Sequence, residues 1–137
     1  MWYTKLMNKN AEIYFEKAKE SFIGARSELI NGRYNNCANR SYYACFQAAI
    51  YALLTHGAVA LQNKWKHEFV KGQFVLLLIN RSKKYPGSLR KSLEYCYERR
   101  QIADYDRSPI TAIQAQRSLK VARDFVENIL GREVISQ

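Results

Sequence analysis

Apolar residues recur at steps of three and four in five successive stretches of this chain, and a period of two persists nowhere. Residues spaced that way share one face of a 3.6-residue helix. Each stretch can bury its stripe only against another helix. Tyr14, Ala18, Phe22, Ala25 and Leu29 form the first stripe, and Asn31-Gly32 supplies a stop just past it, which predicts a helix over about 9–31. Asn35 or Asn36 is placed to cap a second helix whose face is Tyr43, Phe46, Ile50, Leu53 and Leu54, ending near His56-Gly57. The run KHEFVKGQFVLLLIN predicts a third helix over about 66–80, with Phe69, Leu76 and Ile79 on one side. RSKKYPGS reads as a turn at Pro86-Gly87, and a fourth helix follows from Ser88 to Tyr105. Pro109 fits a first helical turn, opening a fifth helix in which Ala112, Ala115, Leu119, Ala122, Val126 and Ile129 lead to Leu130 before Gly131. The expected fold is all-α, an up-and-down helical bundle of five helices forming one domain over residues 1–137.

A chain of 137 residues, 47% hydrophobic, can bury a core of its own without metals or disulfides. Its longest apolar run, AAIYALL at Ala48 to Leu54, is far short of the roughly 18 residues of a membrane span. The opening MWYTKLMNKN has no apolar stretch of the secretory kind. The expectation is a cytoplasmic protein with no membrane partner. Cys37, Cys45 and Cys96 are odd in number and form no CxxC pair, so they read as buried free thiols. His56 and His67 have no carboxylate or cysteine at ligand spacing, and neither a metal nor a cofactor is expected.

Charge narrows the partners. Lys and Arg number 22 against 12 Asp and Glu, a net +10, and residues 64–100 alone hold ten basic and three acidic residues, a net +7. A clustered positive field favours polyanions through phosphate neutralisation and counterion release, and Lys83, Lys84, Arg90 and Lys91 are candidates for such contacts. The plainer alternative is a surface that merely keeps the domain soluble.

Three polar signals stand on the predicted helices. Leu89, Leu93 and Cys96 form a stripe whose continuation is Arg100, then Ala103 and Asp104. A charge entering a buried stripe needs a partner or an opening, because an unpaired buried charge is prohibitively costly. Arg40 opens the core face of the second helix in NRSYYACFQAA, and His67 heads the third. If those ends meet in space, they form a basic pocket with aromatic walls, suited to a phosphate and a stacked base. The structural alternative for Arg100 and Asp104 is an ordinary i, i+4 ion pair, and Tyr42 and Tyr43 read as core residues with hydroxyls bonded to a neighbouring helix.

The runs GRYNNCANRSYYACFQAAIYALL, KHEFVKGQF and YERRQIADY, in that order, resemble the HEPN family, the higher-eukaryote and prokaryote nucleotide-binding domain. The branch resembled ends its helix in Arg-x-x-Ala-Asp-Tyr. The resemblance implies an all-α bundle that commonly forms homodimers, many members being metal-independent ribonucleases or toxins paired with a nucleotidyltransferase antitoxin. In the ribonucleases an arginine is followed four to six residues later by a histidine, across a cleft between subunits. Here the matching arginine is Arg100, with Arg99 as the alternative, and Asp104, Tyr105 or Asp106 stands where the histidine would be. Gln47 likewise stands where related sequences often carry histidine. Metal-free RNA cleavage needs a proton acceptor and a proton donor near neutrality, a role that suits imidazole and not a solvated aspartate. The expected function is therefore RNA or nucleotide binding by a homodimer within a toxin-antitoxin or stress-response system. Arg40, His67 and Arg99 are binding candidates, and Arg100, Asp104 and Tyr105 are the candidate catalytic set if the chain cleaves RNA. A catalytically silent module that dimerises and holds a nucleotidyltransferase is the third reading.

Overall fold

The structure, a computed structural model, describes residues 2–136; Met1 and Gln137, the two ends of the expected domain, lie outside it. It is an all-α bundle: α1 (Trp2–Ile30), α2 (Tyr34–His56), α3 (His67–Gln73), α4 (Ser92–Tyr105), α5 (Ala112–Leu130) and a short α6 (Arg132–Ile135). The sequence predicts five of these, and α6 is an addition. Among the described residues no helix is long and apolar enough to cross a membrane.

α2 is the central element, packed by α1, α4 and α5. Its buried residues point in several directions, among them Ala38, Ala44, Cys45, Ala48, Ala49, Ala52 and Leu53, as expected of a helix enclosed by neighbours. Alanines let those neighbours approach closely. The α1–α2 hairpin closes at Gly32, whose φ of +74° a side chain would strain, and Gly32 N and Arg33 N donate to Leu29 O and Glu28 O. Phe22, Phe74 and Phe125 are fully buried, with the Phe74 and Phe125 rings 5.0 Å apart.

Several expected boundaries move for identifiable reasons. Neither asparagine caps α2: Arg33 holds the cap position without a side-chain bond, while Asn35 Oδ1 accepts from Ile110 N at 2.9 Å and Asn36 Nδ2 donates back to Glu28. Tertiary partners outbid the local cap. α3 runs on into a π-helical segment, Phe74–Arg81, and the buried set there is Val70, Phe74, Leu78 and Ile79 rather than Phe69, Leu76 and Ile79; Leu76 is 38% exposed. In VLLLI every position is apolar, so periodicity cannot fix the phase, and the wider turn puts Leu78 and Ile79 inward together. The fourth helix is preceded by a 3-10 turn at Gly87–Leu89 and starts at Ser92 rather than Ser88.

Pro109 precedes α5 instead of entering it. Thr111 caps that helix: Gln114 N donates to Thr111 Oγ1 at 3.1 Å and Thr111 N to Gln114 Oε1 at 2.9 Å, a reciprocal capping box. Thr111→Ala is expected to lower stability by about 1 kcal/mol in thermal or urea melts, with the fold unchanged.

All three cysteines are buried and free. Burial pushes the Cys37 thiol up to about 11 and that of Cys45 well above its ordinary value, and Cys96 Sγ, 3.8 Å from Cys45 Sγ, raises the latter further. Cys37 and Cys45 are protonated core groups.

Candidate functional site

Where α2 meets α4, two arginines from different helices converge on one tyrosine. Arg100 Cζ lies 5.1 Å from the Tyr43 ring centroid and 5.3 Å from that of Tyr42, and Arg40 Cζ lies 5.3 Å from Tyr43. These are cation–π distances. Tyr42 is buried at 2% exposure and Tyr43 is half-buried at the rim. The stripe of Leu89, Leu93 and Cys96 thus continues onto aromatic rings, which an arginine can cover while its charged edge stays wet. That explains a guanidinium in line with buried positions: the Arg100 side chain is 22% exposed and Asp104 Oδ2 accepts from its Nε at 3.2 Å.

Asn39 joins the two arginines. Its Nδ2 donates to both oxygens of Asp104 at 3.3 Å, and its Oδ1 accepts from Arg40 Nε at 3.2 Å and Nη2 at 2.8 Å. Among the described residues no acceptor meets Nη1 or Nη2 of Arg100, or Nη1 of Arg40. Of the two guanidinium groups only that of Arg100 is directly bonded to a carboxylate, while that of Arg40 meets the Asn39 amide oxygen, so the cluster keeps unfilled donors and excess positive charge. Beside it, Glu28, Asn36, Asn39 and Arg40 line a cavity of about 280 Å³. The hydrogen bond from Arg33, then that from Asn36, holds the Glu28 carboxyl below the usual carboxylate range.

A second network lies behind Tyr42. Its hydroxyl is 3.0 Å from His67 Nδ1, the imidazole stacks on Tyr97 with centroids 3.9 Å apart, and His67 Nε2 is 3.3 Å from Glu94 Oε2. Ionised Glu94 only accepts, so the imidazole carries a proton on Nε2, and its Nδ1 faces the Tyr42 hydroxyl. Burial raises the Tyr42 phenol far above its ordinary value, which keeps it a donor. Lys71 Nζ sits 2.8 Å from Glu94 and 3.2 Å from Glu68.

Sequence reasoning finds no carboxylate at ligand spacing from either histidine, and folding corrects this: His67, Glu68 and Glu94 bring their ligand atoms within 4.8 Å of one another. Glu94 arrives from another helix, which spacing along the chain cannot show. The Lys71 ammonium already serves these carboxylates as their cation.

The hydrogen bond from Lys71, then that from His67, lowers the Glu94 pKa. A carboxylate with a depressed folded value adds stability above its unfolded pKa of about 4, and that contribution is lost as pH falls through the folded value. With the Glu94 side chain 39% exposed, it is worth about 1 kcal/mol or less. Glu94→Gln is expected to flatten the acid limb of a plot of melting temperature against pH while changing little in alkali.

The other candidates lie elsewhere. Arg99 turns to Tyr95, its Cζ 4.5 Å from that ring, and its buried Nε has no acceptor among the described residues. Lys83, Lys84, Arg90 and Lys91 are exposed around the turn that precedes α4. Arg90 donates to Asn80, and Lys91 is about 14 Å along the helix axis from Arg100. Tyr105 is 75% exposed and outside both networks. Gln47, with its nitrogen toward them, donates to Tyr43 O, Lys17 O and Ser21 Oγ, so it ties α2 to α1. Asn39, Glu28 and Glu94 are the site residues that sequence reasoning misses. Asn39 stands one turn before Tyr43 and was locatable by spacing, whereas the other two depend on helix docking.

The class is a helical bundle that holds an arginine–tyrosine cluster where its second and fourth helices meet. The family model for the HEPN domain matches residues 11–132. The chain belongs to the HEPN family, whose members have nucleotide- and RNA-related functions. The matched span contains both networks. No curated protein matches the sequence.

Proposed function

We propose that this chain is a single HEPN domain that binds RNA, or a nucleotide, at the Arg40–Tyr43–Arg100 cluster. The observation that carries this reading is the convergence of two guanidinium groups on Tyr43 with donors left over. Bringing like charges together is unfavourable unless an anion joins them, and a phosphate accepts the forked donors of arginine bidentately. Tyr43 supplies a face beside the phosphate position for stacking. Lys83, Lys84, Arg90 and Lys91 extend the positive field to the turn before α4 and serve as further phosphate contacts. Within this reading the protein belongs to the branch ending in Arg-x-x-Ala-Asp-Tyr and works as a cytoplasmic homodimer in a toxin-antitoxin or stress-response system, with a nucleotidyltransferase as antitoxin.

Cleavage is the less favoured activity. Both ring nitrogens of His67 are engaged, the side chain is 11% exposed, and Tyr42 separates it from Arg100. His56 lies at the other end of α2, about 24 Å from Arg40 along the axis.

Titration of labelled single-stranded RNA in EDTA tests the proposal. Binding without cleavage is expected, weakening as salt rises, with a shallower salt slope when Lys83, Lys84, Arg90 and Lys91 are neutralised together. Affinity indifferent both to salt and to that quadruple change would reduce the basic segment to a solubilising surface. Sedimentation showing only monomer at micromolar concentration would remove the homodimer.

A further inference from the structure

The cavity of about 280 Å³ between the end of α1 and the start of α2 has a lining with one hydrogen-bonding pattern left open. Glu28 Oε2 accepts from Arg33 Nε and Asn36 Nδ2, and among the described residues no donor meets Oε1. Held ionised by those neighbours, the carboxylate offers acceptors only. On the same lining, Arg40 has Nε and Nη2 directed onto Asn39 Oδ1, which leaves Nη1 to donate.

A base edge that satisfies this lining presents two adjacent donors to the carboxylate and an acceptor to the guanidinium. Guanine does so, with N1–H and its 2-amino group side by side and O6 next to them. Adenine and cytosine each place a ring-nitrogen acceptor beside their one amino group, against the carboxylate. Uracil has a single donor between two carbonyls. The space, about 280 Å³, admits one base, and Asn39 connects its wall through Asp104 to Arg100. A base in the cavity and a phosphate on Arg100 would be linked through that chain of hydrogen bonds.

We infer that this cavity takes a guanine base, with Glu28 accepting from N1–H and the 2-amino group and Arg40 donating to O6. The inference rests on the RNA reading above and adds a base preference to it. Asn36 is a positioning residue that holds the carboxylate through its amide. If Glu28 serves only to close the α1–α2 turn through Arg33, the protein has no base preference.

Short labelled U-tract RNAs carrying one central guanosine, inosine, adenosine or uridine, titrated into the full chain in EDTA, decide the matter. The guanosine RNA is expected to bind about tenfold or more tighter than the adenosine and uridine RNAs. Inosine, which keeps N1–H and O6 but lacks the 2-amino group, is expected to lose much of that advantage. Glu28→Gln, verified as folded by circular dichroism, replaces one acceptor with a donor and is expected to bring the guanosine-to-uridine affinity ratio toward one. Equal affinity for all four RNAs, each weakened alike by Arg100→Lys, overturns the guanine site and leaves the RNA reading standing. A preference that survives Glu28→Gln also overturns it, and failure to bind any of the four removes both readings.

Discussion

Arg100→Lys is expected to lower RNA affinity about tenfold or more while the bundle stays folded. The substitution keeps the charge, so long-range attraction to phosphate survives. What it removes is the planar fork that reaches Asp104 with Nε and still directs two nitrogens outward. A lysine ammonium over the Tyr42 and Tyr43 rings keeps some cation–π attraction but holds an anion at a single point. Loss of one charged bidentate contact corresponds to about 1.5–3 kcal/mol, or more than tenfold in affinity. The same variant measured for stability separates the readings. An Arg100 that only closes a helix end is worth about 1 kcal/mol or less, and near-wild-type RNA affinity with a lowered melting temperature would make RRQIADY architecture alone.

The largest stability loss is expected at Phe125. Its ring is fully buried, tilted against Phe74 at 5.0 Å, and Phe74 in turn stacks on Tyr85. Truncating a buried phenylalanine removes its transfer free energy and leaves a cavity, about 3–5 kcal/mol together. Set against a total of about 5–15 kcal/mol for an ordinary domain, Phe125→Ala approaches loss of the folded state. Denaturant melts would show a midpoint shifted strongly at a similar slope. A loss below about 1 kcal/mol would mean that Phe74 and the π-helical segment collapse into the space.

Much of this architecture is legible in one dimension because helices bury stripes of fixed period. The stripes through Phe22, Leu53 and Val126 belong to helices found close to where period and stop signals place them. Legibility fails where the sequence is uniformly apolar, as in VLLLI, or where a tertiary partner competes with a local one, as when Ile110 N takes Asn35 from the helix start. The site divides along the same line. Arg40, Arg100 and Asp104 are visible as charges on faces that should be apolar, and folding gathers all three. Glu28 and Glu94 look like ordinary surface residues until docking gives them neighbours. Lys83, Lys84, Arg90 and Lys91 show the reverse: their charge is legible, but its distance from Arg100 depends on where α4 starts.

The alanines of α2 give the site a dependence on positions remote from it. Ala38, Ala44, Ala48, Ala49 and Ala52 have no exposed surface, and their small size sets how far α1, α4 and α5 stand from the helix that carries Arg40 and Tyr43. They work as a gauge block: add one methylene group anywhere along that seam, and interiors packed to crystal density must shift an axis or strain a rotamer. Arg40 rides on α2 and Arg100 on α4, so such a shift is read out as a change in the gap between two guanidinium groups. Substitutions along the alanine seam, which never touch a ligand, are thereby able to retune the proposed anion site.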